Sequence, residues 1–350
     1  MEVKALKFDG LTAKRPIVQG GMGVGVSLSS LAGNVAKCGG IGTISGVHPG
    51  YREADFKENP FRANLRAIGN ELEKAKEIAN GGIIGFNFMT VMNHYEEYVK
   101  EAIAAGADFI VSGAGLPVNL AKYAAGTRAA ILPIVSSARA LKLIVKQWQR
   151  ADRLPDAVVV EGPLAGGHLG YPYGHLVDGT FDTLEDSLVD VVDYVRELEE
   201  KNGVIIPVIA GGGVRSHADM ERLMALGASG VQVGTKFVAT EECDAAPAFK
   251  QAYLRSRKED VQLIESPVGL AARAIRNSFL EKVEKQGRIP VQRCYQCMNH
   301  CKQAETKYCI SQALIDAVQG REGLVFCGAN AYEIEKLSTV EKVMQELCGE

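Results

Sequence analysis

An excess of charge of either sign is missing from this chain: its 350 residues carry 39 Lys and Arg against 42 Asp and Glu, for a net charge of −3. That balance offers no electrostatic footprint for nucleic acid or an anionic membrane surface, and it makes a small molecule the expected partner. Uncharged apolar runs of membrane-spanning length are absent too, as are low-complexity tracts and collagen-like repeats. The opening MEVKALKFDG has neither the apolar run nor the small-residue cleavage site of a secretion signal, so a cytoplasmic location is expected. Cysteine is scarce over the first 290 residues, where only Cys38 and Cys243 occur. What is present is a composition of 47% hydrophobic and 23% charged residues with 38 glycines, which suits a globular chain large enough for a substantial core.

Short β-branched apolar runs recur at 16–19, 41–45, 83–88, 109–112, 130–135, 157–161, 207–210 and 230–233, each ending in glycine or a small polar residue. Helical periodicity follows each one, at 27–38, 63–80, 95–105, 117–124, 137–149, 183–200, 216–226 and 241–255. In 183–200 the residues Leu184, Leu188, Val191, Val192, Val195 and Leu198 form one apolar stripe, and Asp182 with Glu185 resembles a capping box. Eight strand–helix alternations in about 250 residues predict an α/β fold, a (β/α)8 TIM barrel, over a doubly wound sheet. Chemistry then belongs at the carboxyl ends of the strands. The two long connections, 46–62 and 162–181, are expected to cover that mouth. Beyond the barrel the chain divides into a helical lid region at 241–290, a cysteine-rich segment at 291–322, and a return segment with a final helix at 323–350.

Strand ends are rich in glycine: Gly20, Gly21 and Gly23 flank Met22, and Gly113, Gly115, Gly166, Gly167, Gly211, Gly212, Gly213 and Gly234 follow later strands. Without a side chain, glycine lets backbone amides approach a flat or anionic ligand. The ends of strands seven and eight, Gly211–Gly213 and Gly234 with Thr235, sit where barrels commonly bind phosphate. Gln19 and Gln232 point from strands toward the mouth, and each reads equally well as a satisfied interior amide.

The series PIVQGGMG, GFNFM, SGAG, VVEGPLAGGHLG, PVIAGGGV and VQVGTKFVAT, running in order from about Pro16 to Asn277, resembles the flavin-dependent nitronate monooxygenase family, formerly 2-nitropropane dioxygenases, and its relatives the flavin-containing enoyl-acyl-carrier-protein reductases. The resemblance implies an FMN held noncovalently at the barrel mouth, with residues 1–240 as the FMN-binding domain. It implies that Gly21, Met22 and Gly23 lie against the isoalloxazine ring. Asn87 and Glu161 would reach its heteroatoms or the ribityl chain, with Gln232 nearby. Gly166, Gly167, Gly211, Gly212, Gly213, Gly234 and Thr235 would hold the phosphate and its approach. Gly328 and Asn330, in GLVFCGANA, would close over the flavin, while Cys327 reads as a packed thiol. His168 matches the family's histidine beside the reactive face and is the expected catalytic residue, since an imidazole can take a proton or donate to a polarised oxygen near neutral pH. His175 in the same loop is a weaker candidate for substrate contact; His48, His94, His217 and His300 read as structural or solvent-exposed.

Cys294, Cys297, Cys301 and Cys309, in RCYQCMNHCKQAETKYCI, form a second signal. Four thiolates at short spacing suit a [4Fe–4S] cluster or a structural zinc. The compact start resembles the cluster motif of the 2-enoate reductase family, which favours iron–sulfur; His300 could replace one cysteine around zinc. The expected activity is oxidation of alkyl nitronates or related carbanion-like substrates. The alternatives are an NAD(P)H-dependent flavin reductase of activated double bonds and an electron-transfer flavoprotein serving a redox partner. Assembly as a homo-oligomer is left open by the sequence.

Overall fold

A computed structural model describes residues 4–299 and 301–350; His300, weighed above as a zinc ligand, lies outside the described residues. Eight parallel strands close a barrel: β1 (Ile17–Gln19), β2 (Ile41–Ser45), β3 (Ile83–Met89), β4 (Phe109–Gly113), β5 (Ala130–Val135), β6 (Val158–Glu161), β7 (Val208–Gly211) and β8 (Gly230–Val233). They pair in chain order, with β8 returning to β1 through Val231 opposite Ile17. The expected (β/α)8 barrel is therefore present.

The period of two explains why these strands read as continuous apolar runs. Val18, Ile41, Phe109, Val111, Leu132, Val159 and Ile209 fill the barrel interior as one cluster. Their alternates Ile17, Ile44, Ile110, Ile131, Val158 and Val160 face the helices in another. A hairpin that the sequence reading left out, Leu6–Phe8 with Leu11–Ala13, adds Leu6, Phe8 and Ala13 to the interior cluster.

Helix Leu184–Asn202 carries the expected stripe, but its cap sits one residue beyond the expected pair. Thr183, in extended conformation, accepts the Asp186 amide at 3.2 Å, and the Asp186 carboxylate accepts the Thr183 amide at 3.2 Å. Asp182 and Glu185 therefore do not form the box. Ser216 and Asp219 cap helix His217–Ala225 the same way.

The region 241–290, expected to be a helical lid, is only partly helical. After helix Pro247–Arg255 comes a hairpin, Val261–Glu265 with Ala271–Ile275, before helix Ser278–Gln286. VQLIE carries β-branched residues, AARAI is held extended by its pairing on both sides, and Gly269 at φ +80° turns between them. This hairpin takes up Gly167–Leu169, from the loop after β6, as a third antiparallel strand, setting His168 opposite Ala272. The loop 162–181 is thus a built lid, ending in the short helix Tyr173–Asp178. Helix Ile310–Val318 follows the cysteine-rich segment, and the return chain then crosses the mouth. Ile275 donates to Val325 O at 2.9 Å, Cys327 donates to Arg273 O at 3.1 Å, and Gly328 donates to Thr235 Oγ1 at 3.2 Å. The last helix, Val340–Cys348, packs on helices Ser29–Lys37 and His217–Ala225. Among the described residues no helix is long and apolar enough to cross a membrane.

Candidate functional site

Register in the barrel sets the floor of the site. Glu161 pairs with Gly211 and Gly211 with Gln232, so three neighbouring strands end in one row. Ser45 and Asn87 pair on the opposite side of the barrel. Above these ends opens a cavity of about 340 Å³, lined by Gly21, Met22, Gly23, Asn87, Glu161, Gly166, Gly167, His168, Gly211, Gly212, Gly213, Gln232, Gly234 and Thr235. Every residue expected around the flavin thus stands on one wall system, together with Cys327, Gly328 and Asn330 of the return chain. A volume of this size suits a cofactor or small ligand.

Two glycines show why the slot is narrow and flat. A Cβ at Gly21 would collide with the Asn87 side chain. At Gly166 it would lie 2.6 Å from the backbone of Cys327 and Gly328, where the return chain crosses. The turn before the glycine pair is tied down by Arg273, whose buried guanidinium donates to Pro163 O at 3.0 Å and to Ala165 O. Met22 is fixed by Ser27, whose hydroxyl accepts the Met22 amide at 2.8 Å.

His168 is held from the far hairpin. Its Nε2 lies 2.8 Å from Ser266 Oγ, and its ring meets Phe326 edge-on at 5.0 Å. Burial pulls the imidazole pKa down to about 4, so the ring is neutral at neutral pH. The same cause acts oppositely on Glu161, whose carboxyl is pushed up to about 8 and keeps its proton there. These two titratable groups are therefore uncharged together. Fixed charge on the wall belongs to the end near Gly213 and Gly234, where Arg215, Lys236 and Glu333 line the cavity and Arg215 pairs with Glu333 at 3.1 Å. Lys236 pairs likewise with Glu346 at 3.0 Å, so both cations are matched by carboxylates, and the neutral, amide- and glycine-lined slot suits a flat heteroaromatic ring.

Some expectations resolve differently. Gln19 is fully buried, accepts the Thr43 amide at 3.0 Å and donates to Gly20 O, so it is a satisfied interior amide. His175 is exposed on helix Tyr173–Asp178 and does not line the cavity. His48 is buried between Ser311 Oγ at 2.8 Å and Asn64 Nδ2 at 3.2 Å. Ser266, Arg273 and Phe326 are the contributors the sequence reading missed. Nothing local marks them, because they reach the site through the hairpin and return chain, with Ser266 bonded across 98 residues.

Cys294, Cys297, Cys301 and Cys309 are free thiols around a separate cavity of about 230 Å³. Among the described residues no three or more His, Cys, Asp or Glu side chains converge as a site for a metal ion. Neither the expected [4Fe–4S] centre nor its zinc alternative is therefore seen as an assembled metal site among these residues.

A family model described as nitronate monooxygenase matches residues 4–350. A protein of Staphylococcus saprophyticus named probable nitronate monooxygenase is 25% identical over 298 residues, covering 79% of each chain. One of the same name from Staphylococcus aureus strain Newman is 26% identical over 305 residues, 80% of this chain and 81% of its own. Among solved structures, FabK from Thermotoga maritima superposes with a TM-score of 0.71 at 24% identity, covering 96% of this chain and 92% of that one. Nitroalkane oxidase from Streptomyces ansochromogenes superposes with a TM-score of 0.67 at 19% identity, covering 96% and 95%. At these identities the two structures speak for the fold.

Proposed function

The chain belongs to the nitronate monooxygenase family, and from that premise we propose that it is an FMN-dependent oxidoreductase acting on alkyl nitronates or related small carbanion-like substrates. The observation that carries the reading is the cavity at the strand ends, where a neutral histidine and a neutral carboxyl share a glycine-lined slot. When bound, FMN supplies the redox chemistry, and the protein supplies position and electrostatics.

In this reading Gly211, Gly212, Gly213, Gly234 and Thr235 hold the phosphate, with Arg215 and Lys236 close by on the same wall. Gly21, Met22, Gly23, Gly166 and Gly167 bound the ring. Asn87 and Gln232 offer amide donors and acceptors, and protonated Glu161 offers a hydrogen bond without introducing negative charge. His168 handles substrate. With Nε2 engaged by Ser266, Nδ1 remains to accept a proton or donate to a substrate oxygen, and the serine hydroxyl, donor and acceptor alike, serves either tautomer. The return chain over Gly166 limits access of water to this point.

The test is an anaerobic visible spectrum. Denatured protein should release FMN, and the bound chromophore should bleach on addition of an alkyl nitronate without any nicotinamide. Bleaching by NADH or NADPH alone would instead assign the protein to the reductases of activated double bonds. A protein that releases no flavin after reconstitution would overturn both.

A further inference from the structure

We propose that Cys294, Cys297, Cys301 and Cys309 hold an iron–sulfur cluster of the [4Fe–4S] class, in a cavity distinct from the flavin pocket. The two cavities share no lining residue, and the assignment stands whether or not flavin binds.

Three features of the cysteine cavity point to ligated thiolates. Between Cys294 and Cys297 the backbone reverses locally through Gln296 at φ +52°, and the Gln296 amide donates to Cys294 Sγ at 3.4 Å. Amide hydrogen bonds to sulfur stabilise the deprotonated, ligating form and tune a cluster's potential. Cys309 stands at the start of helix Ile310–Val318, with its sulfur facing the amides of Ser311 and Gln312. The Ser311 hydroxyl also lies beside Cys297 and is itself held by His48 Nε2 at 2.8 Å. Of the four sulfurs, Cys294 thus carries a hydrogen bond, from the Gln296 amide.

The third feature is the cavity itself, which Tyr308, 3% exposed, lines beside the four cysteines. All four thiols line one space of about 230 Å³. A cube of iron and sulfide occupies such space.

The turn is anchored to the barrel. The Asn93 amide, in the loop after β3, donates to Cys297 O at 3.2 Å, and its side chain donates to Gln296 O at 2.7 Å. Helix Ile310–Val318 runs from the cysteine cavity to the flavin pocket, which Leu314 lines. Five residues separate Cys309 from Leu314, about 7.5 Å along a helix axis.

The decisive experiment is anaerobic purification of the full chain, reconstitution with ferrous iron and sulfide, and measurement of iron, acid-labile sulfide, zinc and flavin per chain. The proposal expects about four iron and four sulfide per chain and an electron paramagnetic resonance signal after dithionite reduction. Cys297→Ser and Cys309→Ser should abolish both, while flavin content stays unchanged and Cys38→Ser behaves as wild type. Stoichiometric zinc, or a folded wild-type protein retaining neither iron nor sulfide, would overturn it. Loss of flavin with the cluster retained would instead count against the proposed oxidoreductase function alone.

Discussion

Ser266→Ala isolates the contact that orients His168. The serine is 6% exposed, and its hydroxyl lies 2.8 Å from His168 Nε2. Removing it deletes one neutral hydrogen bond, with a net worth of about 0.5–1.5 kcal/mol, and leaves a buried ring nitrogen unpaired at about 1–3 kcal/mol. If half of that penalty of about 1–3 kcal/mol appears as misplacement in the transition state, bleaching of the flavin by an alkyl nitronate slows about 2- to 13-fold. Flavin affinity should stay within about two-fold, because the backbone of His168 remains paired with Ala272. The assay is anaerobic stopped-flow absorbance on four proteins: wild type, Ser266→Ala, His168→Ala and the double variant. If the serine acts through the histidine, adding Ser266→Ala to His168→Ala changes the rate less than about two-fold. An equal loss in both backgrounds would refute the positioning role.

Two further outcomes follow from the same cavity. Gly166→Ala puts a Cβ 2.6 Å from the backbone of Cys327 and Gly328. The return chain must lift, lowering stability by about 1–3 kcal/mol and reducing flavin occupancy; unchanged melting temperature and occupancy would contradict the close crossing. Glu161→Gln tests the retained proton. With the folded carboxyl pushed from 4.5 up to about 8, the folded state binds more protons than the unfolded chain between those values. Stability therefore falls as pH rises through that window and levels off above it. His168, lowered from 6.5 to about 4, contributes the opposite slope: its share is complete above 6.5 and is lost as pH falls toward 4. In flavin-free protein, Glu161→Gln should flatten the decline between pH 6.5 and 8 and melt higher than wild type at pH 8, read by calorimetry across pH. An unaltered slope would mean that the carboxyl is ionised in the folded state.

The barrel was legible because its information is local and repeated. Each strand is a short β-branched run followed by a helical stripe, and eight such alternations fit a parallel barrel whose strands are buried on both faces. The cavity wall was legible for a related reason: Gly21, Glu161, His168, Gly213 and Thr235 sit at strand ends or in the loops that follow, so chain position alone sets them at one mouth. Where local signals were close to degenerate, the reading slipped. The cap of Leu184–Asn202 fell one residue away because Asp182 and Thr183 are both competent caps, and backbone geometry chooses between them. The hairpin at Val261–Glu265 and Ala271–Ile275 carries no local strand signal strong enough to set it apart from helix, because its stability comes from pairing with Gly167–Leu169, about a hundred residues earlier.

The sequence by itself determined the closed barrel, the glycine-lined mouth, His168 within it, and the four clustered cysteines. Only the tertiary structure decided that Gln19 is spent inside the barrel while Gln232 faces the cavity, and that Ser266 and Phe326 orient His168. It also decided that Arg273 ties the turn before the glycine pair, and that Tyr308 joins the cysteines at their own cavity. Strand periodicity and turn chemistry act over a few residues and are written where they act. Desolvation and long-range hydrogen bonds depend on which distant segments come to lie alongside, and that is settled only when the chain has closed on itself.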